Sequence, residues 1–315
     1  MNLDFSKIKV LLIGDFMIDH YIIGSSNRMS PEAHVPVVIP EKEYSIPGGA
    51  GNVAMNLSAL GSDVTCLGVV GEDSFGNKLI KILKDNNVNT KYIEKIKNYH
   101  TTLKKRIYCN GTQVARIDKE KLIDWSPNQL DSLDYTDYDV IILSDYSKGV
   151  LIRPWFVKPK EIDVVLDPKN KRWEHLFIHS NIITPNLNEL KELTDIDIID
   201  DNSILKACNK LITEYDFDYV IAKKGDKGMT IVGKNNSEIH VDPHLVNSPD
   251  VTGAGDTVIA ALSLGYAKTN NIKISAEFAN TAAAFVVGKT GTATVTIDEI
   301  NNNELKLKPG MFMIV

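Results

Sequence analysis

Apolar residues follow two rhythms along the chain. Near-continuous Val, Ile and Leu runs occupy residues 10–14, 64–70, 140–144, 164–167, 182–184 and 219–222. Such runs fit strands covered on both faces, as in a parallel sheet. Residues 52–60, 74–85, 187–193, 204–215, 257–267 and 276–287 carry helical spacing instead. The alternation predicts a three-layer α/β fold with a mostly parallel central sheet. Segment 149–167 holds Pro154 and Pro159, which argues against a full crossover helix there.

Two stretches break the alternation. Residues 20–45 are strand-like, rich in Pro and Gly, and lack a helical pattern. Farther on, Asn110-Gly111 separates two β-type runs, a signal for a two-residue type I′ hairpin. Both stretches predict a small β lid, at about 19–45 and 97–118, inserted in a single domain over 1–315. In simple register, Lys104, Arg106 and Tyr108 share one hairpin face with Gln113 and Ala115. Ile107 and Val114 take the other face, with Lys105 and Arg116 at its margin.

Composition narrows the class. The 315 residues are 43% hydrophobic and 24% charged, ordinary for a soluble protein able to bury its own core. A net charge of −6 argues against nucleic acid or an anionic membrane as partner. The three cysteines, Cys66, Cys109 and Cys208, are widely spaced and fit reduced thiols in the cytoplasm. The first apolar run, 10–13, is too short for a signal peptide or a membrane span. His175 and His179, like His240 and His244, lack the pattern of a zinc site. Gly288-Lys289-Thr290 resembles the end of a P-loop, but Ala283 stands where that motif needs glycine.

Four segments carry candidate chemistry. In Asp250-Val-Thr-Gly-Ala-Gly-Asp256, Gly253 and Gly255 let a ligand approach the backbone at the start of a buried helix. Free N–H groups and the helix dipole favour an anion there. Asp256 beside such a cradle reads as a base for an attacking hydroxyl, or as a plain N-terminal helix acid. Asn186 and Glu189 follow a buried strand and read as a Mg²⁺ and phosphate station, as a capping box, or as both. Asp15 and Asp19, after the first strand, offer acceptors for sugar hydroxyls, or ordinary turn chemistry. The Pro47-Gly48-Gly49-Ala-Gly-Asn52 segment offers close backbone approach and an amide, or a flexible loop.

Taken together, these segments resemble the ribokinase-like (PfkB) carbohydrate kinases along nearly the whole chain. The resemblance implies an ATP-dependent phosphotransferase acting on an alcohol group. Gly253, Ala254 and Gly255 would form the anion hole, with Asp256 as base. Asn186 and Glu189 would organise Mg²⁺ and the phosphates, Glu189 being the metal residue. Lys223, Gly225, Gly228 and Asn280 would contact the nucleotide. Asp15, Asp19, Gly48, Gly49 and Asn52 would hold the sugar. A monovalent cation is an optional further cofactor.

Within that family, four segments look like the D-glycero-β-D-manno-heptose-7-phosphate kinases. They begin at Asn27, Leu143, Asp167 and Asp250. That branch makes the 1,7-bisphosphate on the way to ADP-heptose, a lipopolysaccharide core precursor. Lys104, Arg106 and Arg116 match its basic positions, and Asp145 and Lys169 fall in its motifs as substrate residues. In many bacteria this kinase is fused to a nucleotidyltransferase. None follows Val315, so kinase activity alone is expected, in a homodimer paired through the lids. The rival readings are a kinase for ribose, fructose or a nucleoside, and a non-catalytic sugar-binding regulator.

Overall fold

Every predicted strand and helix is present, and further strands extend the sheet. The computed structural model describes residues 3–128, 133–244, 252–289 and 293–302. The first strands are β1 (Lys9–Gly14), β2 (Phe16–Ser25), β3 (Ile39–Gly49), β4 (Asp63–Gly71), β5 (Asn89–Ile96), β6 (Thr102–Cys109) and β7 (Thr112–Lys119). They are followed by β8 (Val140–Ser144), β9 (Asp163–Asp167), β10 (Ile182–Ile183), β11 (Tyr219–Lys223), β12 (Met229–Gly233) and β13 (Glu238–Val241). The helices are α1 (Ala50–Ala59), α2 (Ser74–Asp85), α3 (Leu187–Thr194), α4 (Asp201–Tyr215), α5 (Ala254–Thr269), α6 (Ile272–Val287) and α7 (Ile297–Asn301).

A nine-stranded sheet runs in the order β13-β12-β11-β10-β9-β8-β1-β4-β5. The seven strands from β11 to β5 in that order are parallel, and β12 and β13 add an antiparallel edge. Successive side chains point to opposite faces, so each central strand feeds two cores. Val10, Leu12, Val140 and Ile142 pack with α1, α2, α5 and α6. Leu11, Ile13, Ile141 and Leu143 pack on the other side with α3 and α4. Each fully buried aliphatic side chain contributes roughly 1.5–3 kcal/mol. That two-sided burial is why these strands lack polar alternation. No α-helix forms between β8 and β9, as the two prolines of that segment suggest.

The second sheet has four strands in the order β3-β2-β6-β7. Asn110 and Gly111 have φ of 51° and 82°, as a type I′ turn demands. The simple register does not hold beyond the turn. Tyr108 pairs with Gln113 but Ile107 pairs with Ala115, so Val114 is an extra, bulged residue. One inserted residue reverses the alternation of everything after it. Arg116 therefore stands opposite Arg106, on the face assigned to Lys104 and Arg106, and Ala115 leaves that face. No helix among the described residues is long and apolar enough to cross a membrane.

Candidate active site

The carboxyl ends of β8, β9, β10 and β11 open under the small sheet into a cavity of about 240 Å³. Ligands bind at this end of open α/β sheets. The cavity is markedly charged. Asp19, Asp145, Asp167, Glu189 and Asp256 line it, together with Lys104, Arg106, Lys169 and Lys223.

Its floor is the start of α5. Gly253 caps that helix with φ of 84°, a left-handed conformation that favours glycine. The following N–H groups face the cavity end of an otherwise buried helix. Asp256, in the first turn, has both carboxylate oxygens engaged. Asn52 Nδ2 donates to Oδ2 at 2.7 Å, and the Tyr146 hydroxyl donates to Oδ1. A second pair stiffens the helices below: Thr257 Oγ1 donates to Asn56 Oδ1 at 3.1 Å. Burial pushes the Asp256 pKa up to about 6, against the pull of the Tyr146 and Asn52 donors. That value suits a group that must accept a proton near neutral pH.

Beside the floor lies a cluster drawn from β9, β11 and α3. Lys223 Nζ donates to Asp167 Oδ1 at 2.7 Å, and Thr184 Oγ1 donates to the same oxygen at 2.9 Å. Burial works against the Lys223 charge, but Asp167, Glu189 and Asp256 outweigh it and hold the ammonium above its usual pKa. A Cβ on Gly255 would lie 3.7 Å from that ammonium, so Lys223 faces the glycine cradle. Asn186 and Glu189 form a full capping box, with 2.9 Å bonds in both directions. Glu189 Oε1 also lies 3.5 Å from Lys169 Nζ. Both readings of that motif are thus compatible: the carboxylate caps α3 and lines the cavity.

No group of three or more His, Cys, Asp or Glu among the described residues forms a protein-only metal site. A Mg²⁺ ion held by one carboxylate, water and nucleotide phosphates needs no such group, and Glu189 fits that single role.

The opposite wall belongs to the small sheet. Arg106 pairs with Asp19 from the neighbouring β2, and both are largely buried. Gly48 makes room for that carboxylate, since a Cβ there would come within 2.3 Å of Asp19 Oδ2. Lys104 sits beside Asp19 in the ladder, with its ammonium 5.7 Å from the centre of the Tyr146 ring. Among the described residues it forms no ion pair. Burial lowers its pKa.

The structure does not bring every expected residue to this cavity. Asp15 is a correction. Its carboxylate is spent on the backbone, accepting N–H bonds from Tyr146, Lys148 and Val150 at 2.9, 3.0 and 3.1 Å. It shapes the loop after β8 and leaves no face for a sugar. Arg116 shares the right face but is exposed, and a bidentate pair to Asp118 holds it off the cavity. Asn52 acts through Asp256 and does not line the cavity itself. Gly225 and Gly228 form the turn between β11 and β12, away from the cavity. Asn280 lies on α6, where its Nδ2 donates to the Asp242 carbonyl at 2.7 Å. Asp145 does reach the cavity, and burial with the nearby Asp15 pushes its pKa to about 7. Asp250 and Val251, which open the glycine segment, lie outside the described residues.

Two ionisable cavity residues escaped the sequence reading: Tyr146 and Asp167. Their motifs had been singled out, but Asp145 and Lys169 were chosen within them. Only the long-range pairings, Tyr146 to Asp256 and Asp167 to Lys223, give the other two a role.

Comparison with known proteins agrees with this geometry. The model of the pfkB family carbohydrate kinases matches residues 7–299. The bifunctional protein HldE of Aliarcobacter butzleri is 38% identical over 314 residues, covering 96% of this chain and 65% of that protein. HldE of Helicobacter acinonychis is 40% identical over 311 residues, covering 93% of this chain and again 65% of the relative. The chain thus spans just under two thirds of the length of these relatives. Among solved structures, Arabidopsis thaliana ribokinase with ribose and ATP superposes with a TM-score of 0.78 at 20% identity, over 94% of this chain and 98% of that one. Phosphofructokinase-2 of Escherichia coli gives 0.76 at 19% identity, over 95% and 98%. At those identities the two structures speak to the fold, which is ribokinase-like. With its glycine cradle, buried carboxylate and family match over residues 7–299, the chain belongs to the pfkB family of carbohydrate kinases.

Proposed function

We propose that the protein transfers the γ-phosphoryl group of ATP to the C1 hydroxyl of D-glycero-β-D-manno-heptose 7-phosphate, in the cytoplasm, on the route to ADP-heptose. The observation that carries this reading is the pairing of opposite walls. Asp256 and the glycine cradle form one wall, and the cations Lys104 and Arg106 the other. A sugar phosphate has a hydroxyl for the first and an anionic end for the second. Lys104 has no ion-pair partner among the described residues, which leaves it available to a phosphate. The match to HldE over most of the chain supports the same reading.

In this account the attacking C1 oxygen bonds to the γ-phosphorus as the bond to the β-phosphate oxygen breaks and ADP leaves. Asp256 takes the hydroxyl proton. The N–H groups at the start of α5 and the Lys223 ammonium stabilise the charge on the transferring group. Glu189 and Asn186 orient the nucleotide phosphates. Mg²⁺, when bound, neutralises the β and γ oxygens. The small sheet acts as a lid that excludes water as a competing acceptor. Exposed apolar side chains on it, Ile39 and Ile117 among them, support pairing of two lids in a homodimer.

The test is ADP release with Mg-ATP and a panel of sugars: heptose 7-phosphate, ribose, fructose and fructose 6-phosphate. Strong preference for the heptose phosphate is expected. Activity confined to an unphosphorylated sugar would sink the assignment of the lid cations.

A further inference from the structure

The proposed mechanism gives no role to Tyr146, which lines the cavity half-buried. Tyr146 follows β8 and lies between the two walls of the cavity. Its backbone is fixed by Asp15, which accepts the N–H bonds of residues 146, 148 and 150. Ser147 adopts φ of 55°, and its hydroxyl accepts from Asn170 Nδ2 at 2.8 Å. The loop is therefore clamped, and the direction of the phenol is set. On one side its hydroxyl donates to Asp256 Oδ1. On the other, the Lys104 ammonium stands over its ring. The Asn52 bond occupies Asp256 Oδ2, so the phenol occupies the remaining oxygen.

We infer that Tyr146 is a positioning residue that masks Asp256 until an acceptor sugar displaces its hydroxyl, so that water is a poor acceptor. The inference rests on the reading of Asp256 as base. Whichever acceptor attacks, its oxygen bonds to the γ-phosphorus, ADP leaves, and its proton goes to Asp256. The acceptors differ in what they bring to the contest with the phenol. Water brings one hydrogen bond and must outcompete a clamped donor. A sugar anchored at Asp19, Lys104 and Arg106 brings the binding energy of its whole body. Binding energy remote from the reacting atom is thus spent on uncovering the base. Contact between Lys104 and the Tyr146 ring places the displaced group next to the cation that the sugar phosphate engages.

The same bond has an electrostatic consequence. Four groups face Asp256: Asn52 from α1, Tyr146 from the loop after β8, Asp167 from β9 and Lys223 from β11. Glu189 of α3 acts on Tyr146 in turn. Donation from Tyr146 lowers the Asp256 pKa against burial, so its loss raises that pKa.

Tyr146→Phe removes one oxygen and keeps the ring. It is compared with the wild-type protein in ADP release with and without sugar, across pH. A donor bond to a charged group is worth about 1.5–3 kcal/mol, so sugar-independent ATP hydrolysis is expected to rise roughly tenfold or more. The acid limb of kcat/KM for sugar, which reports the sugar-free enzyme, should move to higher pH. In wild type, adding sugar without ATP should give a tyrosine ultraviolet difference signal that the variant lacks. Hydrolysis and acid limb both unchanged would overturn the inference. So would loss of sugar phosphorylation with no gain in hydrolysis, which would place the phenol in the transfer step itself. Should wild type turn over none of the sugars, the substrate reading falls by itself. The hydrolysis comparison, made without sugar, then still decides for or against Tyr146.

Discussion

The two walls of the cavity are built by different means. The floor is made of contiguous sequence. Gly253 to Asp256 supply a helix N-terminus and a carboxylate within one turn, and Asn52 and Asn56 lock that helix to α1. The lid wall is made across strands. Asp19, Lys104 and Arg106 come from β2 and β6, and only the register of that ladder brings them together. A floor of this kind depends little on what the rest of the chain does. A wall of this kind changes its chemistry whenever one residue is inserted, as the Val114 bulge shows by turning Arg116 over. The generic step of the reaction thus lies in the local motif, and the choice of sugar lies in the register.

The comparison is broken hardest at the floor. Asp256→Asn should lower turnover on the order of 10²–10⁴-fold with the fold intact, read by ADP release and a thermal melt. Its stability should not fall at pH 8. The folded protein holds the Asp256 proton to about pH 6, whereas an unfolded Asp releases it near its ordinary value of 3.8. The folded state therefore binds more protons between those values, and stability declines as pH rises through that window. Asparagine removes this loss.

At the lid wall the damage should fall on stability as much as on binding. Arg106→Ala leaves the Asp19 charge nearly buried without its partner. Breaking such a pair costs roughly 3–5 kcal/mol, which a denaturation curve would read. The pH profile sharpens the contrast further. Turnover should fall below about pH 6 as Asp256 gains its proton and ceases to accept one. The smallest effect is expected at Arg116. It is exposed and committed to Asp118, so Arg116→Ala should change the KM for sugar phosphate less than about twofold.

The sequence reading succeeded where one stretch of chain carries the whole signal. The central strands could be read because both faces are buried, which leaves Val, Ile and Leu at nearly every position. The Asn110-Gly111 turn was plain for a similar reason, since both residues need positive φ. The outer strands β5, β12 and β13 were not predicted. In β5 exposed and buried positions are interleaved, so no continuous apolar run marks it. The Val114 bulge has no local mark, and it misassigned the face of Arg116. Asp15 was misread because a carboxylate after a strand looks the same whether it meets a ligand or three backbone N–H groups. Asp167 and Tyr146 went unchosen because their partners lie 56 and 110 residues away.

The most direct test of the division between floor and lid uses Lys104→Met, which keeps the length of the side chain and removes its charge. The quantity to measure is kcat/KM for heptose 7-phosphate relative to the same heptose without phosphate, in wild type and variant. A charge-assisted contact predicts that this ratio falls roughly 10- to 100-fold, with turnover of the unphosphorylated sugar unchanged. An unchanged ratio, or an equal loss on both sugars, would contradict the claim that the lid reads the phosphate.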